Sequence, residues 1–153
     1  LCLLSPGFGF GTLMVLGAFF ALSGQFTWAA LLASFVPFFL VSNLLLLNQF
    51  PDVEADKTVG RRHYPILIGR KASAIIYAVF VAASYLAIIL GVAINLFPAW
   101  TLLGLLTLII AVPSVLSTLK NPDDLPRLMP SMGQNVLVNL ITPVLMGIGF
   151  LIG

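Results

Sequence analysis

Residues 47–71 read LNQFPDVEADKTVGRRHYPILIGRK and carry eight of the twelve charged side chains of this 153-residue chain. Long apolar runs flank this segment on both sides, over about 27–50 and 72–96. Each run is long enough to cross a hydrocarbon core of about 30 Å as a helix that rises 1.5 Å per residue. The pattern predicts two membrane-spanning helices joined by a charged segment, and the rest of the chain can be placed around them.

The composition agrees with a membrane protein, because 60% of the residues are hydrophobic and only 8% are charged. A soluble domain usually has about 25% charged residues. The strands of membrane barrels are about ten residues long and alternate in polarity, whereas these runs are longer and continuously apolar. We therefore expect an all-α, polytopic transmembrane bundle. The formal net charge of +2 is too small to suggest binding to nucleic acid.

Three further apolar runs bring the expected number of spans to five: about 7–22, 99–119 and 134–152. The first is short and rich in glycine, which lets helices approach closely in lipid. We treat 1–153 as a single transmembrane domain. Because the chain opens inside an apolar run without the features of a signal peptide, we expect it to be the C-terminal part of a longer protein.

The basic residues predict the orientation of the spans. The charged segment at 51–71, expected to be a loop, and the loop at 120–133 together contain all seven Lys and Arg residues. The turns at 23–26 and 97–98 contain no charged side chain. By the positive-inside rule, the charged segments should face the cytoplasm and the C-terminus should lie outside a cell (inner) membrane.

Two carboxylates in the charged segment suggest a metal site. Asp52 and Asp56 are four residues apart, a spacing that puts both on one face of a helix, and Asn48 extends the same row. Pro51 fits the first turn of a new helix. Carboxylates brought together in this way repel each other unless a cation lies between them, and Mg²⁺ is commonly held by one or two carboxylates together with water and substrate phosphate.

Basic side chains follow the acidic ones at short range. Lys57, Arg61 and Arg62 could contact phosphate oxygens, and Gly60 would allow a sharp turn between the two clusters. The alternative is a solvated loop in which acids and bases pair weakly, at about 0–1 kcal/mol per pair. The residue types alone leave both interpretations open.

The order of these residues resembles a known motif. The segment presents an amide, three acids and a Gly-Arg-Arg step: Asn48, Asp52, Glu54, Asp56, Gly60, Arg61 and Arg62. This order, with Gly69 further on, resembles the second aspartate-rich motif of UbiA-type intramembrane prenyltransferases. It is closest to the branch that prenylates dihydroxynaphthoate in menaquinone synthesis. The glycine-rich residues 7–24 look like the span that lies two before the motif in that branch.

The resemblance implies a fold and a reaction. The family has nine helices around a cavity that opens to membrane lipid, and this chain would supply helices five to nine. Two aspartate motifs hold Mg²⁺ on an isoprenyl diphosphate, an allylic cation forms, and an aromatic acceptor such as a naphthoate attacks it. By motif match, Asp52 and Asp56 would be the catalytic metal ligands and Asn48 a contact to metal or diphosphate. Lys57, Arg61 and Arg62 would bind diphosphate.

Three features depart from the family pattern or stay open. His63 stands where Thr or Ser is frequent, and it could lie beside the arginines or touch diphosphate. Glu54 should point away from the face of the two aspartates. No first aspartate motif occurs in these 153 residues. We therefore expect a missing N-terminal half to carry it, and we expect this chain alone to be inactive.

Two other functional classes are possible for a membrane protein with a charged segment of this kind. A non-enzymatic membrane protein, such as part of a transporter, could bind a cation or anionic lipid through the charged segment. Transporter sites place ionisable residues near the bilayer midplane, and no span interior here contains one. A different lipid head-group transferase ranks last, because its acidic motif is absent. Polar residues in the spans, such as Asn43 and Asn135, are expected to form hydrogen bonds between helices.

Overall fold

The computed structural model describes residues 3–153, and nearly all of that range is helical with no strand. The helices are α1 Leu4–Ser23, α2 Trp28–Thr58, α3 Tyr64–Leu67, α4 Gly69–Ala93, α5 Ala99–Lys120 and α6 Leu125–Ile152. All except the short α3 are long and apolar enough to cross a membrane. The predicted all-α bundle with five spans is confirmed.

The largest difference from the sequence prediction lies in the charged segment. We expected a loop over 51–71 with a new helix beginning at Pro51, but α2 runs without interruption through Pro51 to Thr58. The connection that remains is 59–63, followed by α3. The last span also begins earlier than expected, at Leu125, where the carboxylate of Asp124 accepts a hydrogen bond from the backbone N–H of Arg127 at 3.3 Å. Asp124 is therefore the N-cap of this helix.

Helix α1 packs closely against α2, as its glycines predicted. Its segment Gly7–Leu13 has the wider hydrogen-bonding pattern of a π-helix. Gly7 and Gly11 face the backbone of Phe38 so closely that a Cβ atom on either glycine would overlap it. Small residues at such a contact let two helix backbones meet, which is how many helices associate in lipid.

Buried polar side chains join the other spans. Asn43 Nδ2 on α2 donates to the backbone carbonyl of Tyr77 on α4 at 3.0 Å. The Tyr77 hydroxyl lies 2.8 Å from Ser114 Oγ on α5 and donates to Asn135 Oδ1 on α6 at 3.4 Å. A second set lies closer to the far end of α4: Tyr85, Thr107 and Thr142. Asn43 and Asn135 therefore connect helices, as expected of polar groups within spans.

Both charged segments lie at the same end of the bundle. Arg70, at the start of α4, has its Nη1 atom 4.0 Å from Asp123 Oδ1 in the connection between α5 and α6. The C-terminal Gly153 lies at the other end, beside Pro98 and Trp100. The charge pattern predicted this shared end correctly, and the compartment that it faces stays a prediction.

Candidate functional site

A cleft of about 360 Å³ opens at the charged end of the bundle. Eight residues line it: Leu45, Asn48, Gln49, Asp52, Asp56, Arg61, Arg62 and His63. Five of the six site residues expected from the sequence are in this set. The fold therefore brings together side chains from α2 and from the connection that follows it.

The continuity of α2 produces the acidic row. Because the helix does not break at Pro51, Asn48, Asp52 and Asp56 keep their four-residue spacing and face the cleft together. Val53 points the other way and is 3% exposed. One face of this helix end is thus packed into the bundle, and the other carries the polar side chains.

The two aspartates have different surroundings. Asp52 is exposed, and its carboxylate forms no hydrogen bond or ion pair within the described residues. Asp56 is held on both oxygens, since Oδ1 accepts from Arg61 Nη1 and Oδ2 lies 3.1 Å from His63 Nε2. Asp52 is therefore free for a ligand from the cleft, whereas the Asp56 carboxylate has a fixed direction.

A tight turn brings Arg61 and His63 back over the end of α2. The backbone N–H of Arg61 donates to the carbonyl of Asp56 at 3.0 Å, and that of Gly60 donates to the carbonyl of Lys57 at 3.2 Å. Gly60 has φ of 74°, in the left-handed region that other residues enter only at a cost. The sharp turn predicted at Gly60 is confirmed.

His63 is more deeply involved in the site than the sequence suggested. It is buried at 7% exposure, and its Nδ1 atom has no hydrogen-bond partner among the described residues. Gln49 Oε1, in the lining of the same cleft, is also buried without a partner. Sequence reasoning left the role of His63 open and did not consider Gln49. The sequence offers the same signal for both residues: Gln49 directly follows Asn48, and His63 directly follows Arg62, so each adjoins a motif residue.

Lys57 and Glu54 lie outside the cleft lining. Lys57 Nζ donates to Glu54 Oε1 at 3.2 Å, and both side chains are largely exposed. An exposed pair of this kind contributes little to stability. Glu54 points away from the aspartates, as predicted. The Lys57 side chain is turned to Glu54, outside the cleft lining, and its role as a diphosphate contact stays a prediction.

Arg70 is a further residue near the site that sequence reasoning did not select. Its Nε and Nη2 atoms donate to the backbone carbonyl of Phe50 at 3.1 and 3.0 Å. The only signal in the sequence was its position, one residue after Gly69, at the start of an apolar span. Arg70 thus contacts the main chain directly before Pro51 and Asp52.

The donor set of the cleft fits part of a Mg²⁺ site. The described residues contain no group of three or more His, Cys, Asp and Glu side chains that could hold a metal by themselves. Asp52 and Asp56 offer carboxylate oxygens, and Asn48 and Gln49 offer amide oxygens. These hard oxygen donors suit Mg²⁺, which takes its other ligands from water and phosphate.

Comparison with known proteins places the chain in a family. The profile described as the UbiA prenyltransferase family matches residues 4–140. The 1,4-dihydroxy-2-naphthoate octaprenyltransferase of Bacillus subtilis (strain 168) is 26% identical over 152 residues, which are 97% of this chain and 48% of that enzyme. The digeranylgeranylglyceryl phosphate synthase of Pyrococcus furiosus is 39% identical over 57 residues, or 35% of this chain and 21% of that enzyme.

The chain therefore spans about half of the length of the Bacillus relative and about a fifth of the Pyrococcus relative. No solved structure gives a significant match. The family profile covers most of the chain, including all of α2 and the cleft residues. On this match, the chain belongs to the UbiA prenyltransferase family.

Proposed function

We propose that this chain is part of a membrane enzyme that transfers an isoprenyl group from an isoprenyl diphosphate to an aromatic acceptor. One observation carries the proposal: in a chain of this family, five of the six residues expected from the motif line a single cleft. Helices five to nine of a nine-helix protein are the part that we assign to it. The cleft would then be one half of the diphosphate site.

The roles follow from the chemistry of each side chain. Asp52 and Asp56 would hold Mg²⁺, with Asn48 as a further oxygen ligand or a contact to diphosphate. The metal, when bound, supplies charge neutralisation of the leaving diphosphate. Arg61 and Arg62 are exposed guanidinium groups at the cleft, and they would donate hydrogen bonds to phosphate oxygens.

We propose an aromatic acceptor such as a naphthoate because the match to the Bacillus relative extends over 97% of this chain. That relative is named for octaprenyl transfer to 1,4-dihydroxy-2-naphthoate. A glyceryl phosphate acceptor is the second candidate, since the relative named as digeranylgeranylglyceryl phosphate synthase has the higher identity, 39%. An assay that offers both acceptors separates the two.

The remaining assignments concern the whole protein. The protein would lie in a cell (inner) membrane as a multi-pass protein, with the cleft facing the cytoplasm and the C-terminus outside. A preceding half with the first aspartate motif would complete the metal site, and the present chain alone would be inactive. The basic residues at the cleft end and the two-carboxylate donor set support these assignments.

The test uses the full-length protein that contains this chain, purified into lipid nanodiscs with Mg²⁺ and a labelled isoprenyl diphosphate. We expect label to move to dihydroxynaphthoate, and we expect Asp52→Asn to lower the rate at least about 100-fold. Glu54→Gln is the matched control, because Glu54 is an acid on the same helix outside the cleft. A protein that binds cations but transfers no label to any acceptor would favour the non-enzymatic alternative.

A further inference from the structure

The side chain of Arg70 reaches from α4 to α2. Its two donors to the Phe50 carbonyl are 3.1 and 3.0 Å away, and the side chain is only 15% exposed. Hydrogen bonds from a charged donor are stronger than neutral ones. These two are also largely protected from competition with water. The contact therefore ties the start of α4 to one particular point on α2.

That point lies next to Pro51, one of the two prolines inside α2. Pro51 has no N–H group, so the carbonyl of Leu47 loses its normal helical partner, and the proline ring crowds the same carbonyl. Helices bend sharply at internal prolines. The carbonyl that Arg70 binds belongs to Phe50, the residue directly before Pro51. An external donor at this position restricts the direction in which the last turns of α2 continue beyond the proline.

The part of α2 beyond Pro51 has little else to hold it. Within 51–58 only Val53 is buried in the bundle. The ion pair of Lys57 with Glu54 lies inside the segment and cannot orient it. The direction of this segment therefore depends on the packing of Val53, on the contact of Asp56 with the buried His63 and on the hydrogen bonds from Arg70.

The start of α4 is arranged for this contact. Gly69 has φ of 83°, a left-handed conformation that redirects the chain just before Arg70. A Cβ atom at Gly69 would meet no other atom within 4 Å, so the glycine is needed for its backbone angle rather than for space. Asp123 lies 4.0 Å from Arg70 on the far side, exposed to solvent, and adds a weak attraction.

We propose that Arg70 is a positioning residue for the cleft. By holding the Phe50 carbonyl, it sets the direction of the last two turns of α2 and so keeps Asp52 and Asp56 at the cleft. The inference rests on the proposed function, because only a diphosphate site makes the position of these carboxylates matter for binding. Arg70 itself touches no substrate.

The first measurement reports the position of the helix end without any ligand. Spin labels are placed at Thr58→Cys, the end of α2, and Leu119→Cys, near the end of α5, in the full-length protein freed of native cysteines. We expect Arg70→Met to broaden the electron-paramagnetic-resonance distance distribution between the labels. Lys71→Met is the matched control, since Lys71 is the neighbouring exposed cation and forms no hydrogen bond or ion pair within the described residues.

The second measurement is the affinity for a non-cleavable isoprenyl thiodiphosphate in the presence of Mg²⁺. Arg70→Met should weaken binding about tenfold, as loss of a supporting residue around a metal site typically does. Lys71→Met should leave the affinity unchanged. If Arg70→Met does not yield folded protein, Arg70→Lys carries both measurements, because a lysine keeps the charge but lacks the two fixed donors. Arg70→Lys should also broaden the distance distribution and weaken binding, but to a smaller extent than Arg70→Met.

The outcomes separate the two proposals. An unchanged distance distribution overturns the positioning role, whatever happens to affinity. A broadened distribution with unchanged affinity also overturns it, provided that Asp52→Asn abolishes binding. If Asp52→Asn does not weaken binding, the proposed diphosphate site is wrong, and Arg70 has no site to position. Broadening and weaker binding together, with Lys71→Met unaffected, support the inference.

Discussion

His63 Nε2 lies 3.1 Å from Asp56 Oδ2, on the carboxylate oxygen that Arg61 does not use. His63 is the only histidine of the chain and is almost fully buried. Each carboxylate oxygen of Asp56 therefore has a partner, whereas the carboxylate of Asp52 has none within the described residues. This difference suggests that Asp56 is oriented in advance and that Asp52 adjusts when a ligand arrives.

Replacing His63 should therefore weaken the metal site without removing it. We expect His63→Ala to raise the Mg²⁺ concentration for half-maximal prenyl transfer about tenfold, because partners that orient ligands typically contribute that much to metal affinity. His63→Gln keeps a donor at similar reach and should lose less. The measurement is the Mg²⁺ dependence of the rate in the full-length protein. Equal losses in both variants would mean that packing, and not the hydrogen bond to Asp56, is what His63 provides.

Local sequence patterns were sufficient to predict much of this architecture. The apolar runs predicted the five spans, because the length of a span depends only on the thickness of the membrane. The four-residue spacing predicted that Asp52 and Asp56 share a face, because this follows from helix geometry alone. The Gly60 turn was predicted for a similar reason, since few other residues enter the left-handed region.

The misplaced features depend on contacts between residues far apart in sequence. A proline is frequent in the first turn of a helix, so Pro51 suggested a helix start. In the structure α2 continues through it, and Arg70, twenty residues later, donates to the carbonyl of Phe50 beside it. The pairing of His63 with Asp56 requires the chain to reverse at Gly60 in one particular direction. The pairing of Lys57 with Glu54 was not predicted either, and the role of Lys57 as a diphosphate contact stays a prediction.

The turn at Gly60 can be tested by adding a single methyl group. A Cβ atom there would meet nothing within 4 Å, so any effect of Gly60→Ala comes from the φ of 74°. We expect it to destabilise the native turn by about 1 kcal/mol, and Gly60→Asn by less, because Asn tolerates this region. Thermal unfolding in nanodiscs measures the change. Gly133→Ala, at an open helical glycine without positive φ, is the control and should not destabilise.

The close contact of α1 with α2 predicts which glycines of α1 have room for a Cβ atom. A Cβ atom at Gly11 would overlap the backbone of Phe38, whereas one at Gly9 would meet nothing within 4 Å. We therefore expect Gly11→Ala to destabilise the protein by about 1–3 kcal/mol, the usual cost of overpacking, and Gly9→Ala to have no such effect. Chemical unfolding of both variants in detergent compares them. If Gly9→Ala is as destabilising as Gly11→Ala, helix packing at Phe38 is not the reason for these glycines.

The hydroxyl of Tyr77 tests how much the buried polar contacts contribute. Tyr77→Phe removes the 2.8 Å contact with Ser114 and the long 3.4 Å hydrogen bond to Asn135 Oδ1. Ser114 still donates to the backbone carbonyl of Ser131 at 3.1 Å and is not left without a partner. The bond from Asn43 also persists, because it ends on the main-chain carbonyl. We expect a loss of only about 0.6 kcal/mol, the average for such contacts within membranes. Tyr64→Phe, which removes a hydroxyl outside these contacts, serves as the control in the same unfolding measurement. A loss of several kcal/mol in Tyr77→Phe alone would show that the contacts between α4, α5 and α6 act as one cooperative unit.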